Sequence, residues 1–525
     1  MKNLGAKKLG ILKIKTAILA VFLFYKDFFF WYNFNKRGIM KSLGILCHIS
    51  SLPCEFGVGD FGKCCYDFID FLSNNKIKFW QILPLNETNK YNCPYDSTCS
   101  FSFDEMFFDL TPYIENGKIQ NADLIQLRKL SKTKKVAYEK VKTEKKKILN
   151  SLFNNLSKDE INTIKTSLKN RQHILDFAYF KTVLNAFKVD NFREIPNEIW
   201  NKKSIQYKEF FKLHNNDIFA NAHIQIVLEE QWSKVKQYAT KKGVKIIGDL
   251  PIYPNPNSFD VFANPKAFKL NKKTLEPLVY GGVPGDDFSP SGQMWGTCVY
   301  DWKTLEKNNF DYMINKIKTT LNNYDILRLD HFFGYIKHYE WSAKNLSQGK
   351  WIKTNGKLFF ETLKQKIDLN KIIVEDLGFD FKESAEIKKE FDLKGMAVLQ
   401  MLFENEKYIP QNANKKDIFY LGTHDNNTFI GFYKNLPLEK QKEFCEKLKI
   451  HFNKNAKQVL LNTLKLMQDS KNEMVILQIQ DLLNQDEKCR MNIPGVAQNC
   501  WEYKVPKNYK NLISNTLNQI NKKTT

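Results

Sequence analysis

Short apolar runs punctuate the chain, and four of them stop at an acid. They are Lys245-Ile246-Ile247-Gly248-Asp249-Leu250-Pro251, Ile326-Leu327-Arg328-Leu329-Asp330-His331-Phe332, Lys371-Ile372-Ile373-Val374-Glu375-Asp376-Leu377-Gly378 and Ile418-Phe419-Tyr420-Leu421-Gly422-Thr423-His424-Asp425-Asn426. Parallel strands buried on both faces read as continuous apolar runs of this kind. Similar runs, bounded mostly by Gly, Pro or charged turns, predict strands at 43–50, 78–85, 244–250, 324–330, 371–376, 396–403, 417–423 and 474–481. Helical periodicity fills intervals between them, at 66–74, 310–322 and 438–468, the last as one long helix or two shorter ones. The pattern predicts an α/β chain folded as a (β/α)8 TIM barrel, with acids gathered at the C-terminal ends of its strands.

Two intervals are too long for a simple crossover. Residues 104–240 are Lys-rich and helical in period at 124–168, 174–187 and 218–242, which predicts a helical insertion after the second strand. Residues 255–305 hold Gly281, Gly282, Pro284, Gly285 and Pro290, which predicts an irregular loop insertion after the third. The barrel is then expected from 40–103, 241–254 and 306–525.

Arg328 and Asp330 are two apart on one strand, so their side chains share a face. A neighbouring guanidinium favours an ionised carboxylate. An ionised Asp at a strand end suits attack on an electrophilic carbon. A structural Arg–Asp pair would read the same on this strand alone. Four strands ending on acids tip the reading towards a catalytic mouth.

At these residues the chain resembles the α-amylase superfamily. Gly248-Asp249-Leu250-Pro251-Ile252, Arg328-Leu329-Asp330-His331-Phe332, Glu375-Asp376-Leu377-Gly378 and Thr423-His424-Asp425-Asn426 look like its four signature regions. Further segments resemble the 4-α-glucanotransferases of glycoside hydrolase family 77. Among them are His48-Ile49-Ser50-Ser51-Leu52-Pro53, Cys93-Pro94-Tyr95-Asp96-Ser97, Gly292-Gln293-Met294-Trp295-Gly296 and Arg490-Met491-Asn492-Ile493-Pro494-Gly495. The likeness runs from about 42 to 505. The chain departs from the family at Asp104-Glu105-Met106, where Gly-Asn-Pro is usual, and at Asn499-Cys500-Trp501, where Asn-Trp is usual.

The resemblance implies transfer of α-1,4-glucan segments between maltooligosaccharides by a retaining double displacement. Asp330 would be the nucleophile, Glu375 the acid/base and Asp425 the transition-state stabiliser. Tyr95, Asp249, Gln293, Trp295, Arg328, His331, His424 and Asn492 would contact substrate, and His48 would line the groove or simply pack. Retention needs the two carboxyl groups about 5–5.5 Å apart, and neighbouring parallel strands about 4.8 Å apart suit that gap. No cofactor and no metal are implied. An amylase-like hydrolase is the alternative, since only overall resemblance favours a sugar hydroxyl over water as acceptor. A non-catalytic glucan- or polyanion-binding protein is a third reading, which the complete set of acids opposes.

Composition adds bounds. Formal net charge is +23, from 80 Lys and Arg against 57 Asp and Glu. The bias is chain-wide and favours Lys, with no RNA-binding signature, so no specific nucleic-acid partner and no obligate protein partner are expected. The densest basic stretch, 129–147, interleaves with apolar residues and predicts a solvated helix face. The ten Cys are scattered, without paired Cys-x-x-Cys spacing, which argues against a zinc site or a disulfide framework and for the cytoplasm. Residues 1–39 read as an extension upstream of a start at Met40; a membrane-surface anchor or an export signal are the other readings.

Overall fold

The computed structural model describes residues 42–89, 91–153, 156–285, 292–378, 382–404 and 415–521, and the extension at 1–39 lies outside them. Numbered along the chain, the strands are β1 (Ser42–Leu46), β2 (Phe79–Gln81), β3 (Lys245–Leu250), β4 (Val279–Val283), β5 (Gln293–Cys298), β6 (Ile326–Leu329), β7 (Lys337–Ser342), β8 (Asn345–Lys353), β9 (Ile372–Val374), β10 (Met396–Val398), β11 (Ile418–Tyr420) and β12 (Met474–Gln478). Eight of them form one parallel sheet in the order β10-β11-β12-β1-β2-β3-β6-β9. Each coincides with one of the eight apolar runs. The fold is a (β/α)8 barrel.

The barrel closes between β9 and β10 by a lighter join. Ile373 forms a parallel bridge with Lys394, and Val374 N donates to Lys394 O at 2.8 Å. Side chains complete this seam. Asp376 accepts from Met396 N at 2.8 Å, Asp417 accepts from Gly395 N at 2.9 Å, and Lys388 bridges both carboxylates.

Burial explains the apolar runs. β6, β9, β11 and β12 are buried at every residue. Gly248 is required by packing, because a Cβ there would lie 2.2 Å from the Tyr324 ring. Outside the strands run helices such as Lys63–Asn74 and Asp311–Asn322, and the interval at 438–468 resolves into two, Leu438–Lys447 and Ala456–Gln468. Asn455 starts the second by accepting from Lys457 N.

The interval after β2 is helical, with Tyr138–Phe153, Lys158–Ser167, Gln172–Phe187, Ile205–Leu213 and Asn215–Lys241 as its longer elements. The last serves two cores. Its Ile218, Phe219, Ala222 and Ile226 pack with Ile164, Ile174, Tyr179 and Phe210, while Trp232, Val235 and Ala239 join the barrel core. One Lys of the basic stretch is not solvated as expected. Lys145 is buried, because it falls on the same helix face as Val141, Ile148 and Leu149. Its ammonium donates to the carbonyls of Met106 and Phe108 at 2.7 and 2.9 Å and lies 3.6 Å from Asp60.

The interval after β3 is largely loop and short helical turns, and it also supplies β4 and β5. These join the β7–β8 hairpin, which leaves the barrel after β6, in an antiparallel sheet ordered β5-β4-β7-β8. The hairpin has no apolar run to announce it, since only His338 and Glu340 are buried along β7. Among the described residues no helix is long and apolar enough to cross a membrane.

Candidate active site

The barrel mouth is organised around one guanidinium. Asp249 of β3 stands in register with Arg328 of β6. Arg328 Nη1 donates to both Asp249 carboxylate oxygens at 2.8 Å and to Asp330 Oδ1 at 3.1 Å. Tyr95 OH donates to Asp249 Oδ2 at 2.7 Å. Asp249 and Arg328 are buried almost completely.

Glu375 leaves the barrel beside Asp330, because β9 neighbours β6. Its backbone N donates to Leu329 O at 3.0 Å. His331 adopts the left-handed conformation, with φ at 49°, and this turn aims its N–H at Glu375 Oε2 at 2.8 Å. Leu377 N donates to Glu375 Oε1 at 3.2 Å.

Asp425 follows β11. Asn492 donates to its Oδ1 at 2.6 Å, His424 Nε2 lies 3.4 Å from its Oδ2, and Arg490 donates to its carbonyl at 2.6 Å. The His424 ring stacks on Tyr95 at 5.1 Å and 11°, which joins this group to the Tyr95–Asp249–Arg328 set. Trp295 meets the His331 ring edge-on at 4.9 Å and donates to Gln293 Oε1 at 3.2 Å. Trp341 of β7 donates to Gln293 O at 3.1 Å and holds β5 in place.

The electrostatics follow from burial. Burial pushes the Asp330 carboxyl up to about 7, with Arg328 pulling it down and the charges of Asp249 and Asp425 adding to the rise. It pushes Glu375 up to about 8, with Arg328 again opposing and Asp330 reinforcing. Asp330 is bonded directly by the guanidinium, which favours its ionised form. The two backbone N–H donors to Glu375 oppose its rise and offset burial only in part, so Glu375 is the better place for a proton. Burial, then His338, lowers His331 to about 4, so its ring is neutral.

All eleven residues singled out in the sequence thus lie in one connected set. His48 lies behind it, buried edge-on against Phe107 at 5.7 Å and lining a small cavity with His424, Gln478 and Tyr503. Burial, then His424, lowers its pKa to about 3. Trp501 was not among the candidates, yet its ring lies 5.9 Å from both Tyr95 and His424. The additional Cys500 obscured it. Asn499 and Trp501, on either side of it, adopt left-handed φ of 60° and 69°. At the other departure, Asp104 caps a short turn by accepting from Met106 N at 2.9 Å.

The family model for 4-alpha-glucanotransferase matches residues 47–510. The chain belongs to the 4-alpha-glucanotransferase family. It is 33% identical over 482 residues to the 4-alpha-glucanotransferase of Clostridium butyricum, covering 90% of this chain and 98% of that protein. It is likewise 33% identical over 479 residues to that of Aquifex aeolicus (strain VF5), covering 90% and 96%. The structure of amylomaltase from Streptococcus agalactiae in complex with acarbose superposes with a TM-score of 0.84 at 28% identity, covering 92% of this chain and 99% of that one. Membership in this family makes the chain a glycosyl-transferring enzyme.

Proposed function

We propose that the enzyme moves α-1,4-glucan segments between maltooligosaccharides through a covalent glycosyl-Asp330 intermediate. The reading rests above all on Arg328, whose single Nη1 is shared by Asp249 and Asp330 and favours an ionised Asp330, beside a Glu375 that burial raises further. Ionised Asp330 attacks C1 of the reacting glucose, and Glu375 gives its proton to the departing glycosidic oxygen. The 4-hydroxyl of an acceptor glucan then attacks C1. It returns its proton to Glu375 and frees Asp330. Asp425, held by Asn492, and His424 would bind hydroxyls of the reacting sugar and favour its distorted, oxocarbenium-like form. Tyr95 and Trp501 would offer apolar faces to one sugar, and Trp295 and Gln293 to the acceptor. Ten free thiols are compatible with the cytoplasm as its compartment.

Glu375→Gln treated with an activated glycosyl fluoride, whose leaving group needs little protonation, should load a glycosyl group onto Asp330, read by peptide mass spectrometry. An adduct on another residue overturns the roles. Incubation of the native enzyme with maltotriose should give a ladder of shorter and longer chains. A net gain of reducing ends instead would make it a hydrolase.

A further inference from the structure

Away from the mouth, the loop from β1 to the helix Lys63–Asn74 folds thiols around a carboxylate. Cys54 Sγ lies 3.2 Å from Asp60 Oδ2, and Cys64 Sγ lies 3.7 Å from Asp60 Oδ1. The three ligand atoms all lie within 4.8 Å of one another, the one such group of His, Cys, Asp and Glu found among the described residues. We propose that Cys54, Asp60 and Cys64 bind one thiophilic divalent cation of the zinc class, with water in the fourth position.

The geometry fits that cation. A tetrahedral ion about 2.3 Å from sulfur and about 2.1 Å from oxygen holds those ligand atoms roughly 3.6 Å apart. The carboxylate presents a different oxygen to each sulfur, Oδ2 to Cys54 and Oδ1 to Cys64, each at about this spacing. Oxygen-seeking cations such as magnesium and calcium would not choose two sulfurs.

Outer contacts are also in place. Asp60 N donates to Cys64 Sγ at 3.2 Å, and Gly62 N donates to Asp60 Oδ1 at 3.1 Å. Both N–H groups aim at atoms that coordination makes more negative, as supporting bonds around metal ligands do. Charge closes as well. Two thiolates and one carboxylate balance a dication together with the Lys145 ammonium, 3.6 Å from Asp60 Oδ2. Binding releases two thiol protons to solvent and involves no redox change. Paired Cys-x-x-Cys spacing is absent, because here the ligands meet through a loop that turns back onto the start of its own helix.

The cation would staple residues 54 and 64. That loop also holds Ser50, which receives the Tyr138 hydroxyl at 2.9 Å, and Ser51, whose carbonyl accepts from Val505 N at 2.8 Å. The expected role is to stiffen this junction.

The test uses the full chain, reduced, freed of metal by a chelator and titrated with zinc against a chromophoric competitor. The native protein should take up one equivalent. Cys54→Ser and Cys64→Ser should each bind at least about tenfold more weakly, while Cys445→Ser, on the distant helix Leu438–Lys447, should bind normally. Cobalt in place of zinc should give thiolate-to-metal charge-transfer absorption, lost in the two loop variants. Zinc should raise the melting temperature of the native and Cys445→Ser proteins only. Retained transferase activity shows that each variant is folded. Failure of the native protein to compete for zinc, native-like binding by Cys54→Ser or Cys64→Ser, or cobalt binding without thiolate absorption overturns the proposal.

Discussion

Arg328, Asp330 and Glu375 form a charge arithmetic that sets pH behaviour. Both carboxyls are raised above their unfolded values, Asp330 to about 7 and Glu375 to about 8. Activity should therefore be bell-shaped in pH, falling on the alkaline side as Glu375 loses its proton and on the acid side as Asp330 gains one. The stability consequence has a definite sign. Between the unfolded values, about 4, and the raised folded ones, the folded state binds more protons than the unfolded chain. Stability contributed by these groups is thus present below that window and lost as pH rises through it. Glu375→Gln removes part of the penalty. Thermal melts should show the variant gaining on the native enzyme as pH rises from ~4 to ~8.5, on the order of 1–2 kcal/mol or more, above a pH-independent cost for the amide's poorer fit to two N–H donors. Activity on natural glucans should be almost lost. These acids were legible in the sequence because each ends an apolar run. Trp501 was not, because Cys500 separates it from Asn499 and disguised its motif, although its ring lies 5.9 Å from that of Tyr95.

At the scale of elements, the barrel strands could be read because continuous burial leaves a continuous apolar run. The β7–β8 hairpin could not, since its burial is partial and its partners β4 and β5 come from a distant interval. Yet this hairpin holds β5, which carries the Gln293 and Trp295 proposed to meet the acceptor. Trp341→Phe keeps an aromatic ring and removes the donor to Gln293 O. One such bond is worth about 1 kcal/mol, so initial-rate kinetics should show the acceptor KM rising about fivefold with kcat little changed. The helix Tyr138–Phe153 carries a second legibility failure, Lys145, because periodicity cannot tell a buried Lys from a solvated one. Lys145→Ala leaves Asp60 and two carbonyls without their cation. Denaturant unfolding should show a loss of about 3–4 kcal/mol.

For the whole molecule, the +23 formal charge and the neutral substrate proposed here act independently. Screening at ionic strengths from ~0.05 to ~0.5 M should weaken retention on a polyanionic resin strongly. The KM for maltotriose should change less than about twofold over that range, because no long-range field steers an uncharged sugar. A large salt effect on KM would point to a charged ligand instead.

The join between β9 and β10 has a further consequence. Elsewhere the barrel wall is knitted mostly carbonyl to amide, a fabric without charge. Here, directly beside Glu375, much of the fastening is a clasp of Lys388 between Asp376 and Asp417. A clasp made of charges has a key, and here the key is a single ammonium. Lys388→Met should release this seam before the rest of the wall, and hydrogen exchange at Met396 and Gly395 should quicken relative to the amides of β3 and β6. The barrel would then open first along the side that holds the proposed proton donor, so inactivation of that variant on warming should begin as a local parting of the wall and precede loss of the fold.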